Sequence, residues 1–326
     1  MLYDNFGRQH DYLRISLTDV CNFRCQYCMP DENIRFMPSA KLMQADEIDT
    51  IAGVFVKLGV KKIRLTGGEP LQRKDAEDVL TALSKYPVEL TLTTNGSKAN
   101  DFLPVFKKSG IKSINVSLDT LNAEKFLFIT RRNIFQKVWN NIQLLIDEGF
   151  HVKVNCVIMR GINDNEIIDF IEWTKNRPVH VRFIEFMPFN GNQWNDKKVF
   201  SFREILEVAE SKYSFLRMKD GLNETAKKYK PYNHEGTFAI ISTMSAPFCG
   251  NCNRMRLTAD GKMKNCLFSK GEVDILSALR NGDDIVPLIK QCVVNKAEAL
   301  GGQFEGEYQQ IDASKITNRS MINIGG

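Results

Sequence analysis

No apolar run in this 326-residue chain reaches the ~18 residues that cross a bilayer. The first residues, MLYDNFGRQHDY, lack the charged-then-apolar layout of a signal peptide, and no low-complexity tract interrupts the chain. Charge of either sign is scarce in excess: a formal +5 from 44 basic and 39 acidic residues argues against a general nucleic-acid binder. With membrane anchoring, export and polyanion binding set aside, a cytoplasmic protein is expected, where thiols stay reduced. At 43% hydrophobic, a chain of this length can bury one barrel-sized core, with or without an appendage.

Short β-branched runs alternate with amphipathic stretches from residue 11 to about 189. The runs fall at 13–17 (LRISL), 62–66 (KIRLT), 89–93 (ELTLT), 113–118 (SINVSL), 152–158 (VKVNCVI) and 181–186 (VRFIEF). Between them, 45–58 and 134–147 carry apolar residues at helical spacing, as in Ile48, Ile51, Val54, Phe55 and Leu58. Asp164 reads as the N-cap of the helical run that follows it, and Gly59, Gly110 and Gly149 suit left-handed helix ends. Six βα units predict an α/β fold, a partial (β/α)6 TIM-type barrel, two units short of closure. Residues 1–189 would form that barrel, and 190–326 a C-terminal segment covering its open side. In the second part, Asp260-Gly261 between two strand-like runs predicts a hairpin, and helical runs follow near 274–280 and 284–300.

Eight cysteines are present, and two trios stand out. Cys21, Cys25 and Cys28 lie in CNFRCQYC directly after the first strand, and Cys249, Cys252 and Cys266 lie in the C-terminal part. Three thiolates are one ligand short of closing a [4Fe–4S] cluster, which leaves one iron open. Zinc would need a fourth ligand. None is near the first trio, and only His234 lies shortly upstream of the second, where a zinc ribbon remains an alternative. Cys156 in an apolar strand and Cys292 in a helical run read as small buried hydrophobes. The first trio's spacing resembles that of radical S-adenosylmethionine (SAM) enzymes at every ligand position. Ligands of parallel βα folds collect at the carboxyl ends of the strands, and TGGEP, TTNG and SLD follow or end the next three strands there.

Cations recur inside the strands. Lys62 with Arg64, and Arg254 with Arg256, each alternate onto one face, and Arg14, Lys153 and Arg182 stand in otherwise apolar runs. Charges inside a barrel are costly unless paired or solvated. Seven of them without evident acidic partners imply an anionic guest with several charges, such as a triphosphate.

Taken together, these motifs resemble the GTP 3',8-cyclase family of radical SAM enzymes. The resemblance runs through LRISLTDVCNFRCQYCMP, KKIRLTGGEPL, LTTNG, INVSLD, VKVNCVIMRGIND, RFIEFMP, FCGNCNRMRLTADGKMKNCLF and the terminal Gly325-Gly326. It implies a first [4Fe–4S] cluster on Cys21, Cys25 and Cys28, and a SAM site lined by Tyr27, Gly68, Ser117 and Met187. It also implies GTP contacts from Arg14, Arg64, Thr93, Lys153, Arg254, Met255 and Arg256, and a second [4Fe–4S] cluster on Cys249, Cys252 and Cys266 that holds the guanine. Arg254 and Arg256 are the implied catalytic groups, Lys62 and Arg182 match basic positions, and the Gly-Gly tail would enter the site. The implied reaction starts molybdenum cofactor biosynthesis: a 5'-deoxyadenosyl radical takes hydrogen from C3' of GTP, and C3' then joins C8. Implied partners are an electron-donor protein, the next pathway enzyme (cyclic pyranopterin monophosphate synthase) and a second copy of the chain. The rivals are a radical SAM enzyme acting on a peptide or an RNA base, and a zinc-ribbon protein without catalysis.

Overall fold

Alternation within YLRIS decides how the first strand sits. Leu13 and Ile15 are fully buried on one face, and Tyr12, Arg14 and Ser16 occupy the other. The same division repeats along the chain in a computed structural model that describes every residue except Pro30, Glu32, Glu305 and Gly326. Six parallel strands arise in order: β1 (Tyr12–Ser16), β2 (Lys62–Thr66), β3 (Glu89–Thr94), β4 (Ser113–Ser117), β5 (His151–Ile158) and β6 (His180–Glu185). The outer face of the sheet, with Ile63, Leu65, Leu92, Ile114, Val116, Val152, Val154, Val181 and Phe183, packs into one apolar core. Each such side chain contributes about 1.5–3 kcal/mol when fully buried. Helices α1 (Ala45–Lys57), α2 (Ala76–Leu83), α3 (Leu103–Lys108), α4 (Ala123–Thr130), α5 (Phe135–Asp147) and α6 (Ile167–Trp173) cover that face. Gly59, Gly110 and Gly149 take positive φ just after helices, as their spacing predicts.

The C-terminal part does more than cover an opening. After α7 (Phe202–Glu210) come β7 (Phe215–Arg217), β8 (Lys227–Pro231), β9 (Thr237–Ile241), β10 (Arg254–Leu257), β11 (Lys262–Lys264) and β12 (Val273–Asp274). Strand β9 pairs in parallel with β6 at one edge, and β10 pairs in parallel with β1 at the other. Eight parallel strands therefore run β10-β1-β2-β3-β4-β5-β6-β9, flanked by the antiparallel pairs β11-β12 and β8-β7. Both parts of the chain share this single sheet. The hairpin expected at Asp260-Gly261 joins β10 to β11, with Gly261 at φ +69° and no room for a Cβ against Leu276.

Two local expectations need correction. Asp164 does not cap the following helix: it opens a 3-10 turn, Asp164–Glu166, and its carboxylate accepts from the Gly161 amide instead. The run expected over 284–300 is helical only as α9 (Val286–Val294), after α8 (Ile275–Arg280); Asn295 ends it and the chain turns back toward Cys249. A last short helix, α10 (Met321–Ile324), carries the chain end into the barrel.

Candidate functional site

Register stacks the inward-facing cations in rows. Arg256, Arg14 and Arg64 sit side by side on β10, β1 and β2, and Arg254, Tyr12 and Lys62 form the row beneath. Arg64 donates through Nε to the Tyr12 hydroxyl and through Nη1 to Thr93 Oγ1 at 3.4 Å. Lys62, Arg64 and Arg254 surround the Tyr12 ring, their cationic centres 5.4, 5.9 and 6.0 Å from its centroid. Burial pushes the Tyr12 phenol up, yet Arg64, Arg14, Arg254 and Lys62 together pull it down to about 7. On the opposite wall, Lys153 faces the lumen from β5 and Arg182 from β6. Burial, then Arg182, Lys62 and Arg64, lowers Lys153 to about 8. Burial and neighbouring cations also hold Arg14, Arg182 and Arg256 below the usual guanidinium range. Nε and Nη2 of Arg182 are buried without a hydrogen-bond partner among the described residues. Such orphaned donors beside like charges await an anion.

At least one of the seven cations has an acidic partner after all. Lys62 bonds Glu89 at 2.7 Å across adjacent strands, where the register sets the two side by side. Met255 is also placed apart from the other expected contacts. The alternation that turns Arg254 and Arg256 inward turns its side chain outward, fully buried opposite Leu13, so only its backbone borders the lumen.

The first trio occupies the loop after β1. Gly68 N–H donates to Thr18 O at 2.6 Å and Glu69 N–H to Val20 O at 2.8 Å. A Cβ on Gly68 would lie 2.5 Å from Val20 O, so only glycine allows this approach. The buried Glu69 carboxylate accepts from Leu71 N, Thr94 Oγ1 and Asn95 N, tying the second and third strand-end loops together. Tyr27 donates to Asp119 Oδ2 at 2.8 Å, Ser117 lies beside Asn155 on the inner face, and the Met187 carbonyl accepts from Asn192. The three thiols lie within electrostatic reach of one another, and two receive N–H groups from other residues: Phe23 to Cys21 at 3.4 Å, and Ile322 to Cys28.

The second trio begins on the 3-10 turn Cys249–Asn251 and ends just after β11. Its thiols also interact, Leu300 N–H reaches Cys249 Sγ at 3.4 Å, and Lys296 reaches Cys252 Sγ at 3.5 Å. His234 is engaged elsewhere, bonded to Thr174 at 2.8 Å and packed on Tyr213. All eight cysteines are free thiols, with Cys156 and Cys292 in the core. A mononuclear zinc site would call for a fourth protein ligand beside either trio, and His234, the candidate for the second, is turned to Thr174. Thiols in trios, with N–H donors aimed at sulfur, fit the ligand set of a four-iron cluster.

The chain end joins the two trios. Ile322 touches Cys28, and three residues on the Gly325 carbonyl accepts from Arg256 Nη1 at 2.7 Å. Gly325 has φ +82°, and a Cβ there would lie 2.5 Å from Thr66 Oγ1 and 2.8 Å from Ser16 Cβ. Arg256 in turn lies within electrostatic reach of Cys266 and Cys252. Gly326, the other half of the expected tail motif, lies outside the described residues. Sequence reasoning assigned no role to Lys296, Tyr12 or the Asp4–Arg8–His10 group that braces the Cys249 turn; a buried charge without a motif leaves no mark in one sequence.

Comparison with known proteins places this arrangement. The family model for the Radical SAM superfamily matches residues 15–174, and that for Molybdenum Cofactor Synthesis C matches 179–301. The chain is 47% identical to a mitochondrial GTP 3',8-cyclase of Arabidopsis thaliana, over all of this chain and 84% of that one. It is 38% identical to the GTP 3',8-cyclase of Listeria monocytogenes, over 100% and 99% of the two chains. Human molybdenum cofactor biosynthesis protein 1 is 45% identical over 99% of this chain, which spans only 51% of that relative. Among solved structures, SuiB of Streptococcus suis bound to S-adenosylmethionine is similar in fold, with a TM-score of 0.60 at 15% identity, covering 86% of this chain and 68% of that one. That likeness supports the partial-barrel fold. A superfamily of this kind carries a [4Fe–4S] cluster and uses SAM. The chain belongs to the radical SAM superfamily and, within it, to the GTP 3',8-cyclase family.

Proposed function

We propose that this enzyme converts GTP to (8S)-3',8-cyclo-7,8-dihydroguanosine 5'-triphosphate, the first step of molybdenum cofactor biosynthesis. The observation that carries the reading is the row of inward cations beside the first strands, with the chain end reaching from Cys28 to Arg256, which lies within electrostatic reach of Cys252 and Cys266. Cys21, Cys25 and Cys28 would hold the first cluster, and Cys249, Cys252 and Cys266 a second. When bound, the first cluster supplies the electron that opens SAM to methionine and the radical that removes hydrogen from C3'.

The protein's own part is placement. Tyr27, Gly68, Ser117 and Met187 would border SAM, with Asp119 fixing the Tyr27 ring. Arg14, Arg64, Lys153, Arg182 and Arg254 would take the triphosphate, whose charge relieves their mutual repulsion. Thr93 holds Arg64 in line, and Lys62 is partly neutralised by Glu89 and so contributes less. Arg256, between the second trio and Gly325, is the group best placed to donate a hydrogen bond where charge develops as the ring closes.

Partners and setting belong to the same proposal: an electron-donor protein, the next enzyme of the pathway, a second copy of the chain, and a cytoplasmic milieu that keeps thiols reduced. The Arabidopsis relative's name assigns that protein to mitochondria. No helix among the described residues is long and apolar enough to cross a membrane.

The test is anaerobic reconstitution followed by incubation with SAM, GTP and a strong reductant. About eight irons per chain, 5'-deoxyadenosine and a cyclised nucleotide formed together are expected. About one zinc without iron, or cleavage of SAM with GTP left intact, overturns the reading.

A further inference from the structure

Beside the second trio lies a buried cation that the proposed reaction does not use. Lys296, two residues past α9, is 5% exposed. Its ammonium donates to Asn265 O at 2.5 Å, Arg254 O at 3.1 Å and Cys252 Sγ at 3.5 Å, and it has no carboxylate partner among the described residues. The two carbonyls satisfy donors without cancelling charge, and an uncompensated buried ammonium is expensive. Compensation can come from the sulfur that the ammonium touches. Three thiolates on a dicationic four-iron core leave one negative charge, which a single ammonium balances.

The position is braced from outside. Arg8, held by Asp4 at 2.6 Å, donates to Cys249 O at 2.9 Å, Ala297 O at 2.9 Å and Glu298 O at 2.6 Å. The N-terminal segment thus clamps the chain on either side of the contact, 249 and 297–298, and Lys296 has little freedom to move away from sulfur. Its carbonyl acceptors belong to Arg254, two residues after Cys252, and to Asn265, immediately before Cys266. One ammonium therefore touches the backbone beside two ligands and the sulfur of one.

We propose that Lys296 is the positioning residue and fixed counter-cation of the second iron–sulfur site: it sets the Cys252 and Cys266 ligands and raises that cluster's reduction potential. This rests on reading Cys249, Cys252 and Cys266 as cluster ligands. The physical reason is direct. A reduced cluster carries one more negative charge, so a nearby cation and an N–H···S bond stabilise it more than the oxidised form.

The experiment is an EPR-monitored redox titration of the full chain with Cys21, Cys25 and Cys28 replaced by Ser, so that the second site alone gives the signal. In that background, Lys296→Met should lower the one-electron reduction equilibrium at least tenfold, a 59 mV fall in midpoint. Lys296→Gln, which keeps a donor without charge, should fall by less, and Lys296→Arg should stay near the parent. An unchanged midpoint in Lys296→Met with its iron retained overturns the proposal. If Lys296→Met binds no iron, the Gln and Arg variants decide: Gln below Arg supports it, and equal midpoints overturn it. A parent protein without about four irons would instead sink the ligand reading, a failure visible before any midpoint is measured.

Discussion

The loop carrying Cys21, Cys25 and Cys28 is stitched mainly by backbone, with Arg24 and Arg132 on its carbonyls, whereas beside Cys249, Cys252 and Cys266 a cationic side chain reaches sulfur itself. In the first, amides of Gly68 and Glu69 pair with Thr18 and Val20, and amides of Arg24 and Gln26 pair with Thr130 and Ile129 at the end of α4. Acids stand close: burial and then Glu69 push the Cys21 thiol up to about 12, and burial and then Asp119 raise Cys25. In the second, burial raises Cys252, but Lys296 and Arg254 outweigh it and bring that thiol below its ordinary range. Nearby carboxylates disfavour an added electron and nearby cations favour it. If both trios hold clusters as proposed, these environments would pull the two apart, toward a strong reductant on one side and a stable anchor on the other.

The largest effect should come from breaking each site in turn. Cys28→Ala should abolish SAM cleavage, a loss of more than about a thousandfold, since no electron reaches SAM without the first cluster. Cys266→Ala should leave cleavage within a few-fold and suppress the cyclised product. Parallel assays of 5'-deoxyadenosine and cyclic nucleotide check this, and equal loss of both in the two variants would erase the division of labour.

Next in size is the phosphate wall. Arg254→Ala should weaken GTP binding roughly 10- to 100-fold, the range for a charged hydrogen bond, and weaken guanosine much less. Calorimetry with the two ligands makes the comparison, and an equal loss for both would move Arg254 away from the phosphates.

How far the sequence foretold all this varies with the range of the contact. The six barrel strands were legible almost to the residue, because inward polar or charged residues alternate with outward Leu, Ile, Val or Phe along them. The outward turn of Met255 was legible by the same rule, since a residue between two inward arginines must face the other way. The edges were not. Pairing of Tyr12 with Arg254 joins positions far apart in the chain, and no local pattern announces it. Asp164 misled because an acid before a helical run also suits a turn, and here its carboxylate serves Gly161. Lys296 was illegible for a related reason: its partners are two carbonyls and a sulfur from distant segments, which no motif encodes.

The link between the two sites can be strained without touching a cysteine. In Gly325→Ala the new methyl would collide with Thr66 and Ser16 at a backbone angle that favours glycine. The carbonyl should then leave Arg256. Product formation is expected to fall about tenfold, following the loss of a contact worth around 1.5 kcal/mol, with iron content unchanged. Full activity in this variant would show that the tail is not part of the working site.

The smallest effect belongs to the wall farthest in sequence logic from either trio, and it depends on pH. Lys153 loses its proton near 8 in the free enzyme, because burial and then Arg182, Lys62 and Arg64 disfavour the ammonium. Below that pH the charge is present and attracts the triphosphate; above it the attraction fades. The profile of kcat/KM for GTP, which reports free-enzyme groups, should therefore decline by about two- to fivefold between pH 7 and 9. SAM cleavage without GTP should lack this break. Lys153→Arg, whose guanidinium stays charged throughout, should flatten the GTP profile while keeping most of the activity. If the break survives in Lys153→Arg, the titrating group is another one, with the Tyr12 phenol, brought to about 7 by Arg64, Arg14, Arg254 and Lys62, next in line.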